Sequence, residues 1–166
     1  MLVRVTPDGF IDWGDGAVRC ALGRSGVRQD KQEGDGATPA GTFPMRRVLY
    51  RADLLAPPPT DLPTAPLAPD DGWCDDAADR LYNRPVCLPY KGRCERLWRR
   101  DRLYDVIVVI GHNDDPVVPG AGSAIFLHVA KEGYAPTAGC IALAQVDLLA
   151  LVSKCRVGTP VRVDSL

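Results

Sequence analysis

Two residue types capable of covalent acyl transfer stand near each other in the C-terminal half. His128 lies near the end of an apolar run from Ser123 to Ala130, and Cys140 lies inside Tyr134-Ala135-Pro136-Thr137-Ala138-Gly139-Cys140-Ile141-Ala142-Leu143. A free thiol with a pKa of about 8.5 is only a few per cent thiolate at neutral pH, so it needs a base or a stabilising environment before it attacks a carbonyl. An imidazole is the ordinary base for that purpose. Gly139 has no Cβ, which lets the backbone amides of positions 139 to 141 turn towards one point as an oxyanion hole. Twelve positions separate His128 from Cys140, too many for contact within one element, so a strand, a loop and a tight return must join them. Both residue types also build cores: free cysteine is among the most buried residues, and a buried histidine is commonly satisfied by a carbonyl. Residue type alone leaves both readings open.

The elements that must position this pair read as mainly β. Leu2 to Val5, Phe10 to Trp13 and Ala17 to Leu22 are short strands punctuated by Asp8-Gly9, Asp15-Gly16 and Gly23. A polar, Gly-rich stretch from Gln29 to Thr42 reads as a surface loop, and Phe43 to Arg51 resumes as a strand. Leu103 to Ile110 and Ser123 to Ala130 are apolar enough to be central strands. Gln145 to Lys154 has near-helical apolar spacing with Asp147 in its first turn, and Pro160 to Val163 is expected as an edge strand. Prolines at 57, 58, 59, 63, 66 and 69 make 56–69 a stiff, partly polyproline loop or a disordered spacer. Asp70 to Leu97 shows no periodicity, and Arg96 to Arg102 reads as a solvated basic patch around a half-buried Trp98.

Composition bounds the function. A chain of 166 residues, 46% of them hydrophobic, fits a single domain over 1–166 with the proline loop inside it. Twenty basic against 21 acidic residues, a net charge of -1, supplies no field for nucleic acid or an anionic membrane. No run approaches the roughly 20 apolar residues of a membrane span. Six cysteines without a Cys-x-x-Cys pair, and two histidines in all, offer no metal site, and no cofactor is expected. The opening residues, with Asp8 and Asp12, show no secretory signal.

Several separated motifs resemble the YkuD-type L,D-transpeptidase catalytic domain. Gly34-Asp35-Gly36-Ala37-Thr38-Pro39-Ala40-Gly41-Thr42-Phe43, preceded by Lys31, is similar to that family's Gly-Asp…Thr-Pro-x-Gly-x-Phe segment. Ile125-Phe126-Leu127-His128 stands at its base position and Thr137-x-Gly139-Cys140 at its nucleophile position. The resemblance covers roughly 17–152. It implies a single-domain, β sandwich-like L,D-transpeptidase fold with one or two short helices, in which Cys140 forms a thioester with a peptidoglycan stem peptide, His128 is the base and a second stem peptide accepts the acyl group. A main-chain carbonyl near the histidine, at Val129, is expected to orient the ring. Thr137, Ala138, Tyr134, His112 and Trp73 are the substrate-binding candidates, with core packing the alternative for Trp73 and Tyr134 and a structural role the alternative for His112. Ala138 replaces a second histidine common in the family, Ala142 stands where Arg or Asn commonly follows, and the His-to-Cys loop is short. A more open cleft is implied, which suits hydrolysis by an L,D-carboxypeptidase or amidase as an alternative, with a non-catalytic wall-binding domain as a third. A substrate of that kind implies a periplasmic location.

Overall fold

The computed structural model describes Met1–Ser165. Fourteen strands follow in order: β1 (Val3–Thr6), β2 (Phe10–Asp12), β3 (Val18–Ala21), β4 (Val27–Arg28), β5 (Thr38–Pro39), β6 (Gly41–Tyr50), β7 (Thr64–Pro66), β8 (Asp71–Cys74), β9 (Pro85–Cys87), β10 (Cys94–Arg96), β11 (Val106–Ile110), β12 (Phe126–Val129), β13 (Ile141–Leu143) and β14 (Pro160–Val163). One helix, α1 (Gln145–Val152), follows β13, and a single 3-10 turn spans Glu132–Tyr134. The architecture is mainly β, as the sequence pattern implies.

Nine strands form one ladder in the order β11-β12-β13-β3-β2-β1-β14-β6-β7, and a further pairing of β11 with β6 closes it on itself. The ten-residue β6 makes this closure, pairing β14 through Gly41 to Pro44 and β11 through Met45 to Tyr50. Closure leaves β11 paired on both sides, which its composition fits: Val106-Ile107-Val108-Val109-Ile110 is β-branched throughout and buried throughout. Each such side chain contributes about 1.5–3 kcal/mol when withdrawn fully from water. Leu148, Leu151 and Val152 of α1 pack on the core enclosed by this ladder, together with Leu127, Ile141 and Leu143.

β14 lies between β1 and β6, so it is an interior strand and not the expected edge. Pro160 is tolerated there because it is the first residue of the strand, opposite Pro44. The proline loop does contribute a strand, β7, at the end of the ladder beside β6, where missing donors are harmless. The aperiodic stretch after it folds as a separate three-stranded sheet, β10-β8-β9. That small sheet packs Trp73 and Leu97 against Phe126, Ile107 and Tyr104 on the other face of the main ladder, forming a second apolar cluster that includes Cys140.

Candidate active site

Alternation along two paired strands puts the thiol and the imidazole on one face. β12 and β13 run parallel with Leu127 opposite Ile141 and His128 opposite Ala142. Leu127, Ile141 and Leu143 point into the enclosed core, so Phe126, His128, Cys140 and Ala142 occupy the opposite face. The offset between paired residues is even, and this parity brings two even-numbered side chains to the same side. Cys140 and His128 both line a cleft of about 400 Å³, which is continuous in its walls with a second arm of about 300 Å³ through Arg24, Glu95, Tyr104, His128, Thr137 and Ala138.

The turn carrying Cys140 is held from three directions. Thr137 Oγ1 donates to the Cys140 carbonyl at 2.7 Å and accepts from the Gly139 amide at 3.0 Å. The Thr137 amide donates to Leu22 O and its carbonyl accepts from Arg24 N, both at 2.9 Å. Gly139 has φ of +144°, and a Cβ there would lie 2.8 Å from the Ala37 carbonyl, so only glycine fits. Ala37 belongs to the Gly34–Phe43 segment, whose own turn is fixed by Asp35 accepting from the Ala37 amide at 2.8 Å and from Lys31 Nζ at 2.5 Å. Two motifs a hundred residues apart in sequence are therefore in van der Waals contact at the nucleophile turn.

The Gly139 amide is occupied by Thr137, which corrects the expectation that it faces an oxyanion. The Cys140 amide has no hydrogen-bond partner among the described residues and is the donor the turn leaves available. The Cys140 sulfur is 3.2 Å from the Ala124 carbonyl and accepts from the Phe126 amide at 3.4 Å. His128 Nδ1 lies 2.8 Å from the Val129 carbonyl. A carbonyl only accepts, so Nδ1 carries the proton and Nε2 presents a lone pair.

Burial keeps both groups uncharged. It pushes the Cys140 thiol up to about 12, a push that Glu95 adds to when ionised, and it lowers His128 to about 4 against the raising effect of the Val129 carbonyl. Thiol and neutral imidazole thus coexist at pH 7, and no hydrogen bond joins them. The proton must leave sulfur as the new bond forms, which is general-base catalysis on a neutral thiol.

Thr137 and Ala138 line both arms of the cleft, Ala138 with its methyl exposed. His112, Trp73 and Tyr134 lie elsewhere. His112 donates from Nε2 to Ala121 O at 3.0 Å, meets Phe43 edge-on at 5.3 Å and, with Trp73, borders a separate cavity behind Phe126. Trp73 is buried, with its indole N–H on Asn83 Oδ1 at 2.9 Å and its ring edge-on to Phe126 at 5.1 Å. Tyr134 stacks under Arg19 at 4.8 Å beside a surface groove near β2 and β3. These aromatics pack, and β8 and the loop after β11 carry Trp73 and His112 away from the sulfur.

Sequence reasoning missed the cleft's charged lining. Arg24, Arg99 and Lys131 surround the smaller arm, while Lys31, Glu33, Asp75 and Glu95 reach the larger one. Asp75, Glu95 and Arg99 come from the aperiodic stretch and the basic patch, where no spacing marks them. Arg99 is ion-paired with Asp101 and also lies 5.1 Å over the ring of Tyr104. Among the described residues no group of three or more His, Cys, Asp or Glu side chains has metal-binding geometry, and no helix is long and apolar enough to cross a membrane.

The model of the YkuD family, the L,D-transpeptidase catalytic domain, matches residues 7–163. An L,D-transpeptidase from Mycobacterium smegmatis is similar in structure over 99% of this chain, at 15% identity and a TM-score of 0.42, and the chain spans 58% of that protein's. No curated protein is significantly similar.

Proposed function

The chain belongs to the YkuD family of L,D-transpeptidase catalytic domains, and from that premise we propose that it is a peptidoglycan L,D-transpeptidase acting through a Cys140 thioester. The observation that carries this reading is the shared face of β12 and β13, which sets His128 and Cys140 along one cleft with His128 locked in the tautomer a base requires. Substrate binding brings the donor carbonyl over the sulfur. His128 Nε2 takes the thiol proton as the S–C bond forms, and the Cys140 amide donates to the carbonyl oxygen as it becomes an anion. Collapse breaks the C–N bond, and the leaving amine takes the proton from His128. An amine on a second stem peptide then attacks the thioester; its proton passes through His128 back to sulfur, and a cross-link remains.

Hydrolysis is the competing outcome, because the exposed Ala138 methyl leaves the cleft open to water beside the thioester. The substrate lies outside the cytoplasm, so the periplasm is the proposed location. Incubation with purified disaccharide-peptide muropeptides, followed by mass spectrometry, separates these readings. Cross-linked dimers that disappear in Cys140→Ala are expected. Trimmed monomers alone would replace transfer by hydrolysis, and no reaction with any muropeptide would leave a wall-binding role.

A further inference from the structure

Tyr104 and Glu95 line the cleft, yet the chemistry above gives them no part. Tyr104, just before β11, is buried, and its ring meets His128 edge-on at 5.1 Å with an interplanar angle of 72°. Its hydroxyl donates to Glu95 Oε1, and Tyr104 lines the same cleft and belongs to the same apolar cluster as Cys140. Glu95 is half-buried in β10, the strand of the small sheet that borders the cleft. One phenol thus packs its ring on the base and stands at the nucleophile's cleft, while a carboxyl fixes the direction of its hydroxyl.

We propose that Tyr104 is a third catalytic residue of this centre, whose hydroxyl hydrogen-bonds the Cys140 sulfur as that sulfur becomes anionic, and that Glu95 is the positioning residue holding the hydroxyl in place. The inference rests on Cys140 being the nucleophile. A sulfur leaving its proton in a cleft walled by Ala124 and Ile125 needs a donor, because an uncompensated buried charge is costly. The Phe126 amide supplies one at 3.4 Å, and the Ala124 carbonyl at 3.2 Å on the other side repels an anion. The Tyr104 hydroxyl is a second donor at the same cleft.

A hydroxyl has one proton, so when it turns to sulfur its oxygen must accept from Glu95, and Glu95 must hold a proton to give. The surroundings of Glu95 favour that form before the thiol gives up its proton. Burial, the largest influence, raises the carboxyl, and Asp75 and Glu33 add to it by repelling a carboxylate there, against the Tyr104 hydrogen bond and the Arg99 charge. Protons balance simply. The thiol proton goes to His128 Nε2; Glu95 and Tyr104 each keep their own and contribute hydrogen bonds, which lapse once the S–C bond neutralises the sulfur.

The test uses the full chain and iodoacetamide, with peptide mass spectrometry to isolate Cys140 from the exposed Cys87, and it needs no muropeptide. Tyr104→Phe keeps the ring on His128 and is expected to slow Cys140 alkylation at least tenfold and to move its pH midpoint up by a unit or more. Glu95→Gln is expected to stay within threefold of the wild type, since its amide N–H donates to the tyrosine oxygen as the acid does, while Glu95→Ala falls about as far as Tyr104→Phe. Should Tyr104→Phe not fold, the Gln and Ala pair at position 95 decides alone. A folded Tyr104→Phe that alkylates within twofold of the wild type overturns the proposal, as does Glu95→Gln losing tenfold. Wild-type Cys140 that never reacts, in folded protein, removes the nucleophile and this inference together; reactive Cys140 without muropeptide transfer removes only the proposed function.

Discussion

Cys140 and Cys155 are the same residue in two apolar surroundings. Both are buried, Cys140 in the cluster under the small sheet and Cys155 in the enclosed core after α1. Each sulfur has a carbonyl partner, Ala124 at 3.2 Å for Cys140 and Leu151 at 3.1 Å for Cys155. Burial raises both thiols, to about 12 and about 11. Acidity therefore does not distinguish them. The difference lies in what stands alongside: Cys155 has aliphatic neighbours, while Cys140 borders a cleft holding an imidazole lone pair, a phenol and a free backbone amide. A buried thiol becomes a nucleophile through acceptors and donors placed for the reaction, and its resting ionisation says little.

The sharpest way to break this contrast is exchange of the sulfurs. Cys140→Ala should lower cross-link formation by at least about 10³-fold, the scale on which removal of a covalent nucleophile is felt, whereas Cys155→Ala should leave it unchanged; muropeptide assays of both variants check this. His128→Asn should cost about 10²–10⁴-fold in kcat, the range for a general base, and equal kcat in variant and wild type would dissolve the distinction. The acid limb of stability sharpens it further. The folded state binds the His128 proton less readily than the unfolded chain, so stability is full above about 6.5, falls as pH drops towards 4, and loses about 3 kcal/mol across that window. Melting temperatures from pH 7 to 4.5 should show that loss in the wild type and much less of it in His128→Asn.

Gly139→Ala should destabilise by about 1–3 kcal/mol through backbone strain and its clash with Ala37, read by urea denaturation, with activity falling as the turn shifts. The smallest effect expected is on Cys155→Ala, a loss of about 1 kcal/mol from one missing buried atom. A loss of similar size in Cys140→Ala would show that the two sulfurs pack alike although only one reacts.

Much of this arrangement was legible in the order of residues. The Gly turns around β2, the β-branched run of β11, the helix after Cys140 and the motif pieces at Asp35, His128 and Cys140 all declare themselves locally, because turn geometry, strand propensity and helical period act over a few neighbours. The orienting carbonyl of Val129 belongs to this class, one residue from the ring it holds. Other features needed the folded chain. The interior place of β14 depends on the distant strands β1 and β6. His112, Trp73 and Tyr134 carry the composition of a binding site, but the loop after β11, the small sheet and the turn at Lys131 to Tyr134 carry them away from the sulfur.

Sequence alone determined which residues could react and that the chain would be mainly β, since those properties reside in side-chain chemistry and short-range pattern. Tertiary structure decided the parity of β12 against β13, which puts imidazole and thiol on one face, and it brought Glu95 and Tyr104 to them from a stretch with no period. Register between strands and the docking of one sheet on another are set by burial summed over the whole molecule, so no local run of residues records them.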